Sequence, residues 1–302
     1  MKKLISLWII LLMLFSVSYA ESDIRVYYNN SEIVTEAPII NESGRIYMPL
    51  RDFFEGIGSE VSWDAATREV SVTRNLSEIK LYLNSNISYI NGIPTNLETP
   101  PKIVDDLTYV PLRFLSESFG MEVYWNDFYK NVYLNENLSE YTYEIHRYKG
   151  QILDGKPHGF AKKYDINGNL KYEGYFFNGN RSGIGTQYWS NGDVCHGTFI
   201  NDNINGEGKM IYKDRGTYIG KFLNGKRDGD GKFTWINGET YEGQWKDDKI
   251  NGTGTYIFKN KDKYIGSWTN NKMNGQGYYY FSNGKIFGGT WDNGKQIGGS
   301  YK

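Results

Sequence analysis

From Tyr148 onward, apolar and polar residues alternate in short runs, cut at regular intervals by glycine and by Asn-Gly or similar pairs. The stretch beginning at Tyr218 shows the pattern. Tyr218, Gly220 and Phe222 fall on one side of a period-two alternation, and Ile219 and Lys221 on the other. Such alternation puts successive side chains on opposite faces of a strand. Asn224-Gly225 follows, a dipeptide suited to the positive φ angles of a two-residue hairpin turn. Gly229 and Gly231 open a return segment in which Phe233 and Trp235 alternate again, before Asn237-Gly238 turns the chain once more. Each stretch predicts one β-hairpin, and consecutive stretches predict an antiparallel meander.

The pattern has a fixed period. Tyr172, Cys195, Tyr218, Tyr241, Tyr264 and Phe287 each follow the previous one by 23 residues, and Tyr148 opens a first unit of 24. A period in this range marks a repeat array. The third position is glycine in every unit, including Gly174, Gly220, Gly243 and Gly266. Glycine inside a strand marks a close approach to the backbone, here expected to be by aromatic rings of adjoining strands. The fifth position carries Phe176, Phe199, Phe222, Trp245, Trp268 and Trp291. These rings have two readings: the array's own core, or a stacking platform for a sugar, peptide or lipid headgroup. Six units are complete. The seventh is expected to stop after its first strand, leaving an open edge in 287–302 for weak self-association.

The string Tyr-x-Gly-x-aromatic-x-Asn-Gly-Lys-x-x-Gly-x-Gly resembles the MORN repeat over 148–302. Cys195 replaces a leading aromatic, Ala161 a glycine, and Asn201-Asp202, Asp247-Asp248 and Asn270-Asn271 replace Asn-Gly. Choline-binding wall repeats are also Gly/aromatic hairpins, but their period is nearer 20 and their Gly-Trp openings are not the pattern here. The MORN resemblance implies protein contacts, self-association and anionic lipid binding.

The N-terminal half holds a longer duplication, at an offset of 62. Tyr47, Pro49, Leu50, Arg51, Gly58, Glu60, Val61 and Trp63 recur as Tyr109, Pro111, Leu112, Arg113, Gly120, Glu122, Val123 and Trp125. In each copy a strand runs into a proline suited to a helix start. A short helix follows, ended by Gly58 or Gly120. Two strands around Trp63 or Trp125 complete the copy. Arg51 and Arg113 are expected to pair with an acid of their own copy, Glu60 and Glu122 being candidates. The Tyr-x-Pro-Leu-Arg…Gly-x-Glu-Val-x-Trp signature resembles the copper amine oxidase N-terminal-like, or stalk, domain over about 25–135. The resemblance implies a small sheet on a helix in an exported bacterial protein. It does not imply oxidase activity, because the catalytic domain's Asn-Tyr-Asp/Glu motif and three-histidine copper site are not found.

Residues 1–20 read as a secretory signal peptide: Lys2 and Lys3, an apolar run from Leu4 to Val17, then Ser18-Tyr19-Ala20 as the cleavage site. Secretion or cell-surface display after cleavage near Ala20 follows, with no later transmembrane segment. The lone Cys195 allows no internal disulfide and reads as a buried small hydrophobe. The formal net charge of −1 hides an asymmetry: 10 Lys+Arg against 20 Asp+Glu in 21–147, and 22 against 15 in 148–302. The basic array could meet an anionic surface or dock on its acidic neighbour.

No nucleophile, Walker or paired-metal motif is present, and the three histidines are scattered. The expected fold is an internally duplicated α+β domain, a small antiparallel sheet on short helices, at 21–135. A linker at 136–147 and an all-β meander of hairpins at 148–302 follow. The expected function is non-catalytic: an exported scaffold of the bacterial envelope contacting a protein or an anionic component, wall polymer or lipid headgroup. The alternatives are a wall-glycan binder and an enzyme of unknown type. No cofactor, metal or nucleic acid is expected.

Overall fold

The computed structural model describes residues 24–301 apart from 30, 127 and 137. The signal-peptide reading falls outside these residues. Three small sheets and two helices form the N-terminal domain, and one 15-stranded sheet forms the rest.

The two copies in the N-terminal domain meet through their signature strands. Arg45–Pro49 pairs antiparallel with Leu107–Pro111, so that Tyr47 faces Pro111, Met48 faces Val110 and Pro49 faces Tyr109. The pairing is symmetric about Met48 and Val110, both fully buried. Each strand runs straight into a helix, α1 (Leu50–Gly56) or α2 (Leu112–Ser118), with the proline at the cap. Seven residues are too few for a helix to persist alone. Leu50, Phe53 and Phe54 of α1 and Leu112 and Leu115 of α2 anchor them in one core that draws on both copies. Gly58 and Gly120 follow the helices at φ 75° and 69°, the left-handed stop that glycine adopts readily. Neither copy has a core of its own, so the pair is one folding unit.

The copies part company after their last shared strand. Asn75-Leu76-Ser77-Glu78 recurs as Asn137-Leu138-Ser139-Glu140, so Ser139–Tyr143 is the counterpart of Ser77–Tyr82. In the first copy, Ser77–Tyr82 pairs with Glu69–Arg74. In the second, Ser139–Tyr143 pairs instead with His146–Leu153 and becomes the first strand of the repeat sheet. The strand Arg25–Tyr28 takes the place beside Asn131–Asn135, in parallel. Within the segment read as a linker at 136–147, Ser139–Tyr143 is therefore a strand shared out of the duplication.

The repeat sheet keeps its strands in chain order from Ser139–Tyr143 to Lys295–Tyr301. The hairpin turns inside the units take two successive positive φ angles, for example Asn224 at 49° and Gly225 at 83°, whereas turns between units take one, for example Gly238 at 88°. Where the second turn residue is not glycine, Asp202, Asp248 and Asn271 still hold φ 69°, 66° and 66°, a region these residue types tolerate. Their side chains have work there. Asp202, Asp248 and Asn271 accept hydrogen bonds from the backbone N–H of Arg181, Arg227 and Ile250 at 3.0, 3.0 and 2.7 Å. The departures from Asn-Gly thus tie each turn to the hairpin before it.

The seventh unit differs from the sequence expectation. Lys295–Tyr301 is a return strand, paired with Ile286–Asp292 through Phe287 to Tyr301 and Gly289 to Gly299. Its glycine sits 12 residues after the leading aromatic instead of the 13 found between Tyr264 and Gly277, which hides the strand from a strict period. Among the described residues Lys295–Tyr301 is one of the two edges of the sheet, the other being Ser139–Tyr143, and it is exposed along its length.

Candidate functional site

The two faces of the repeat sheet do different work. On the inner face, the third-position glycines and their return-strand partners pair into an unbroken row from Gly174 to Gly299. Leading tyrosines lie over that row. Tyr218, Tyr241 and Tyr264 donate their hydroxyls to the carbonyls of Lys221, Gln244 and Ser267 at 2.9, 3.0 and 3.2 Å. Those carbonyls belong to residues at the register shift that follows each glycine. Each tyrosine meets the fifth-position ring of its own unit and of the next edge-on. Tyr241 lies 5.4 Å from Trp245 and 5.5 Å from Trp268, and Tyr264 lies 5.3 Å from Trp268 and 5.0 Å from Trp291.

Phe176, Phe199, Phe222, Trp245, Trp268 and Trp291 are all buried. The structure spends these six rings on the array's own core, with the partly buried rings of Tyr212, Trp235, Tyr256, Phe258, Tyr279 and Phe281 packed against them. Tyr172, Tyr218, Tyr241 and Tyr264 are fully buried beside them. Cys195 interrupts the ladder. It is buried, its thiol pushed up to about 12 by desolvation, and Ile204 fills the space over Gly197 and Gly208 that a tyrosine ring occupies elsewhere.

The outer face, carrying the second and fourth positions of each unit, receives the N-terminal domain. Tyr124 shares a hydrogen bond of 2.7 Å with Thr186, which also contacts the His196 ring at 2.9 Å. Tyr129 donates to the carbonyl of Glu207 at 2.9 Å. Tyr124, Tyr133, Phe160 and Tyr175 form one buried aromatic cluster across the junction. Burial pushes the Tyr124 and Tyr175 hydroxyls well above the ordinary phenol range. In later units Tyr175 gives way to Lys221, Gln244 and Ser267, and Ile184 to Asp230, Thr253 and Gln276. The apolar patch exists only where the domain sits.

Glu122 joins the two halves by charge, pairing with Lys149 and with Lys162 at 2.9 Å. Burial alone would raise its carboxyl, but the two ammoniums outweigh that and hold it below the ordinary 4.5. A depressed folded-state value contributes stability above the unfolded value and loses it as pH falls through the folded one. Docking is therefore expected to weaken below about pH 4.5, and Glu122→Gln to flatten that part of the profile. Unfolding midpoints of both proteins between pH 7 and pH 3 check this, and parallel profiles would refute it.

The stalk-motif residues fall into two related clefts. Pro49, Arg51 and Trp63 line one, and Pro111, Arg113 and Trp125 line the other. Arg51 pairs with Glu55 at 3.1 Å, one helical turn on. The expected partners Glu60 and Glu122 are not used, because both lie on the strand after the helix and Glu122 faces the array. Sequence reasoning missed Tyr124, Tyr129 and Tyr133. The signal was available, since the first copy has Ser62, Thr67 and Ser71 at those positions. Among the described residues no group of three or more His, Cys, Asp or Glu is placed to hold a metal. No helix among them is long and apolar enough to cross a membrane.

Known proteins were compared with this architecture. No curated protein matches the chain. Among solved structures, a TCP domain of Drosophila melanogaster SAS-4 in complex with a proline-rich motif of Ana2 is similar at 16% identity. That match covers 51% of this chain and 78% of the other, with a TM-score of 0.27. A streptogramin B lyase is similar at 13% identity over 80% of this chain and 81% of the other, with a TM-score of 0.13. The family model described as the copper amine oxidase N-terminal domain matches residues 27–134. The MORN repeat model matches 148–170, 172–194, 195–217, 218–240, 241–263 and 264–286. With the paired signature strands and the glycine-aromatic ladder in place, the chain carries a copper amine oxidase N-terminal domain at 27–134 followed by six MORN repeats at 148–286.

Proposed function

We propose that this protein is a non-catalytic scaffold of the extracytoplasmic envelope, whose array contacts an anionic wall polymer or lipid headgroup along its hairpin tips. The observation that supports this reading is a row of lysines. Lys226, Lys249, Lys272 and Lys295 each open the return strand of successive units. Two strands separate each from the next, which spaces their Cα atoms about 10 Å apart. Lys226 pairs with Asp247 at 3.0 Å. Lys249, Lys272 and Lys295 are exposed and have no ion-pair partner among the described residues. A regular line of cations suits a regular line of anions, and exposed charges of this kind act at the range of the Debye length, about 8–10 Å.

The expected result is retention of the full chain on anionic vesicles or on teichoic-acid-bearing wall, weakening steeply with salt. A triple variant with Lys249, Lys272 and Lys295 each replaced by glutamine should lose most of that retention while its melting curve stays unchanged. Retention that ignores both salt and the triple substitution would refute the reading.

One observation favours wall glycan as a second reading. Tyr278 stands on the outer face, 44% exposed, with its ring over the backbone of Gly288. Retention on stripped peptidoglycan, lost in Tyr278→Ala, would select it.

A further inference from the structure

The two clefts of the N-terminal domain are related by the duplication, yet their chemistry has diverged. Each is built from the proline-helix-tryptophan motif of one copy and a hairpin of the other. In the first, of 420 Å³, Arg51 is accompanied by Glu36, Asp52 and Asp106. In the second, of 760 Å³, the counterparts of Asp52, Asp106 and Leu107 are Phe114, Gly44 and Arg45. At these three positions two acids are lost and one cation is gained, and Lys130 and Glu117 add one further charge of each sign to the second lining. The lining charges are one cation against three acids in the first cleft, and three cations against two acids in the second.

Arg113 is the group that sets the second cleft apart. Its counterpart Arg51 is held by Glu55. Arg113 is exposed, and no acid pairs with it among the described residues, although Glu117 stands in the place of Glu55. Arg45 lies 3.9 Å from Glu98, and both are well exposed, so that contact neutralises little. Trp125 is partly buried and lines the cleft together with the side-chain amides of Asn41 and Asn96, and the Lys130 ammonium lies 5.9 Å from the centre of its ring.

From this juxtaposition we propose that the Arg113–Trp125 cleft is a binding site for an acidic saccharide. A guanidinium offers a two-pronged match to a carboxylate. The indole offers a flat apolar wall for a sugar ring, and the amides offer donors and acceptors for its hydroxyls. The volume falls within the range of small-ligand pockets, about 300–1,000 Å³. An acidic peptide could satisfy Arg113, but it brings no array of hydroxyls to the lining amides of Asn41 and Asn96. The inference does not rest on the lysine row, which lies in the other half of the chain.

Titration calorimetry on the full chain tests it, with trigalacturonate as the probe, neutral maltotriose as the uncharged saccharide and triglutamate as the acidic peptide. Trigalacturonate should bind more tightly than either. Arg113→Gln, at an exposed site, should weaken it at least about tenfold, the loss of one charge-assisted contact. Arg51→Gln, the same change in the sister cleft, should leave affinity within about twofold, below the size of one such contact. No binding of trigalacturonate, equal binding of maltotriose, tighter binding of triglutamate, or an Arg51→Gln loss as large as that of Arg113→Gln would overturn the assignment.

Discussion

Gly243→Val should lower the melting temperature of the array far more than Lys246→Ala, three residues along the same strand. A Cβ at Gly243 would stand 2.5 Å from the Cα of Gly254, 2.5 Å from the Thr253 carbonyl oxygen and 2.6 Å from the Tyr241 hydroxyl. None of these is the far end of a flexible side chain. Two are backbone of the paired strand, and the third is a ring pinned by its bond to the Gln244 carbonyl. Relief would require the strands Thr240–Lys246 and Lys249–Ile257 to part, which also breaks the seat of Tyr241 between Trp245 and Trp268. Overpacking costs about 1–3 kcal/mol where side chains can give way, and backbone obstruction puts this variant at about 3 kcal/mol or more. Lys246 is exposed and pairs with Asp228 at 2.9 Å, a surface contact that solvent and salt screen. Because repeat arrays are stabilised neighbour by neighbour, hydrogen exchange in Gly243→Val should rise first around 241–257. Equal melting temperatures for the two variants would refute the assignment of faces.

The sequence carried the array further than it carried the N-terminal half, for a physical reason. A hairpin repeat is local: its period, its turn pairs and its two faces all lie within 23 residues. Tyr218, Gly220 and Phe222 share a face whatever surrounds them, so their common burial was legible. What covers that face was not. A ring in a stacking platform and a ring in a core occupy the same sequence position, and only the next unit's ring, 5.2 Å from Tyr218 in the case of Trp245, decides between them. The return strand Lys295–Tyr301 escaped notice because a glycine shifted by one residue breaks a fixed period while the ladder adjusts its register. In the N-terminal half the decisive contacts are remote. Arg51 has acids on both sides of it in sequence, and pattern alone does not say that Glu55, one helical turn away, is nearer than Glu60. The exchange of Ser139–Tyr143 from one sheet to another was still less accessible, because both destinations accept the same alternating strand. The docking face could have been found by reading the two copies against each other. A duplicated strand pair that trades Ser62 and Ser71 for Tyr124 and Tyr133 has changed what its outer side faces.

Tyr124→Ala should uncouple the N-terminal domain from the array. The ring lies 5.7 Å from Tyr133 and 5.5 Å from Phe160, so its removal empties the middle of the cross-junction cluster. The hydroxyl shares a bond with Thr186 and accepts the Asn126 amide at 3.1 Å, so truncation also strips the amide of that partner, while Thr186 keeps the His196 ring. Truncating a large buried ring costs about 3–5 kcal/mol, and the orphaned Asn126 amide adds about 1–3 kcal/mol. The expense falls on the junction, because the core of the domain and the ladder of the array are separate clusters. Calorimetry of the wild type should show the two halves melting with shared cooperativity, and Tyr124→Ala should resolve two transitions. The array transition should stay near its original temperature. Protease should cut the variant faster within 136–147. Ser62→Ala, the same position in the other copy, faces no array and should stay within about 0.5 kcal/mol of wild type. An unchanged single transition in Tyr124→Ala, or an equal shift in Ser62→Ala, would mean that the tyrosine cluster does not hold the halves together. The salt response separates the two contributions to the junction. Glu122 with Lys149 and Lys162 is screened as ionic strength rises, whereas the aromatic cluster is not, so wild-type coupling should survive high salt and Tyr124→Ala should lose even its residue.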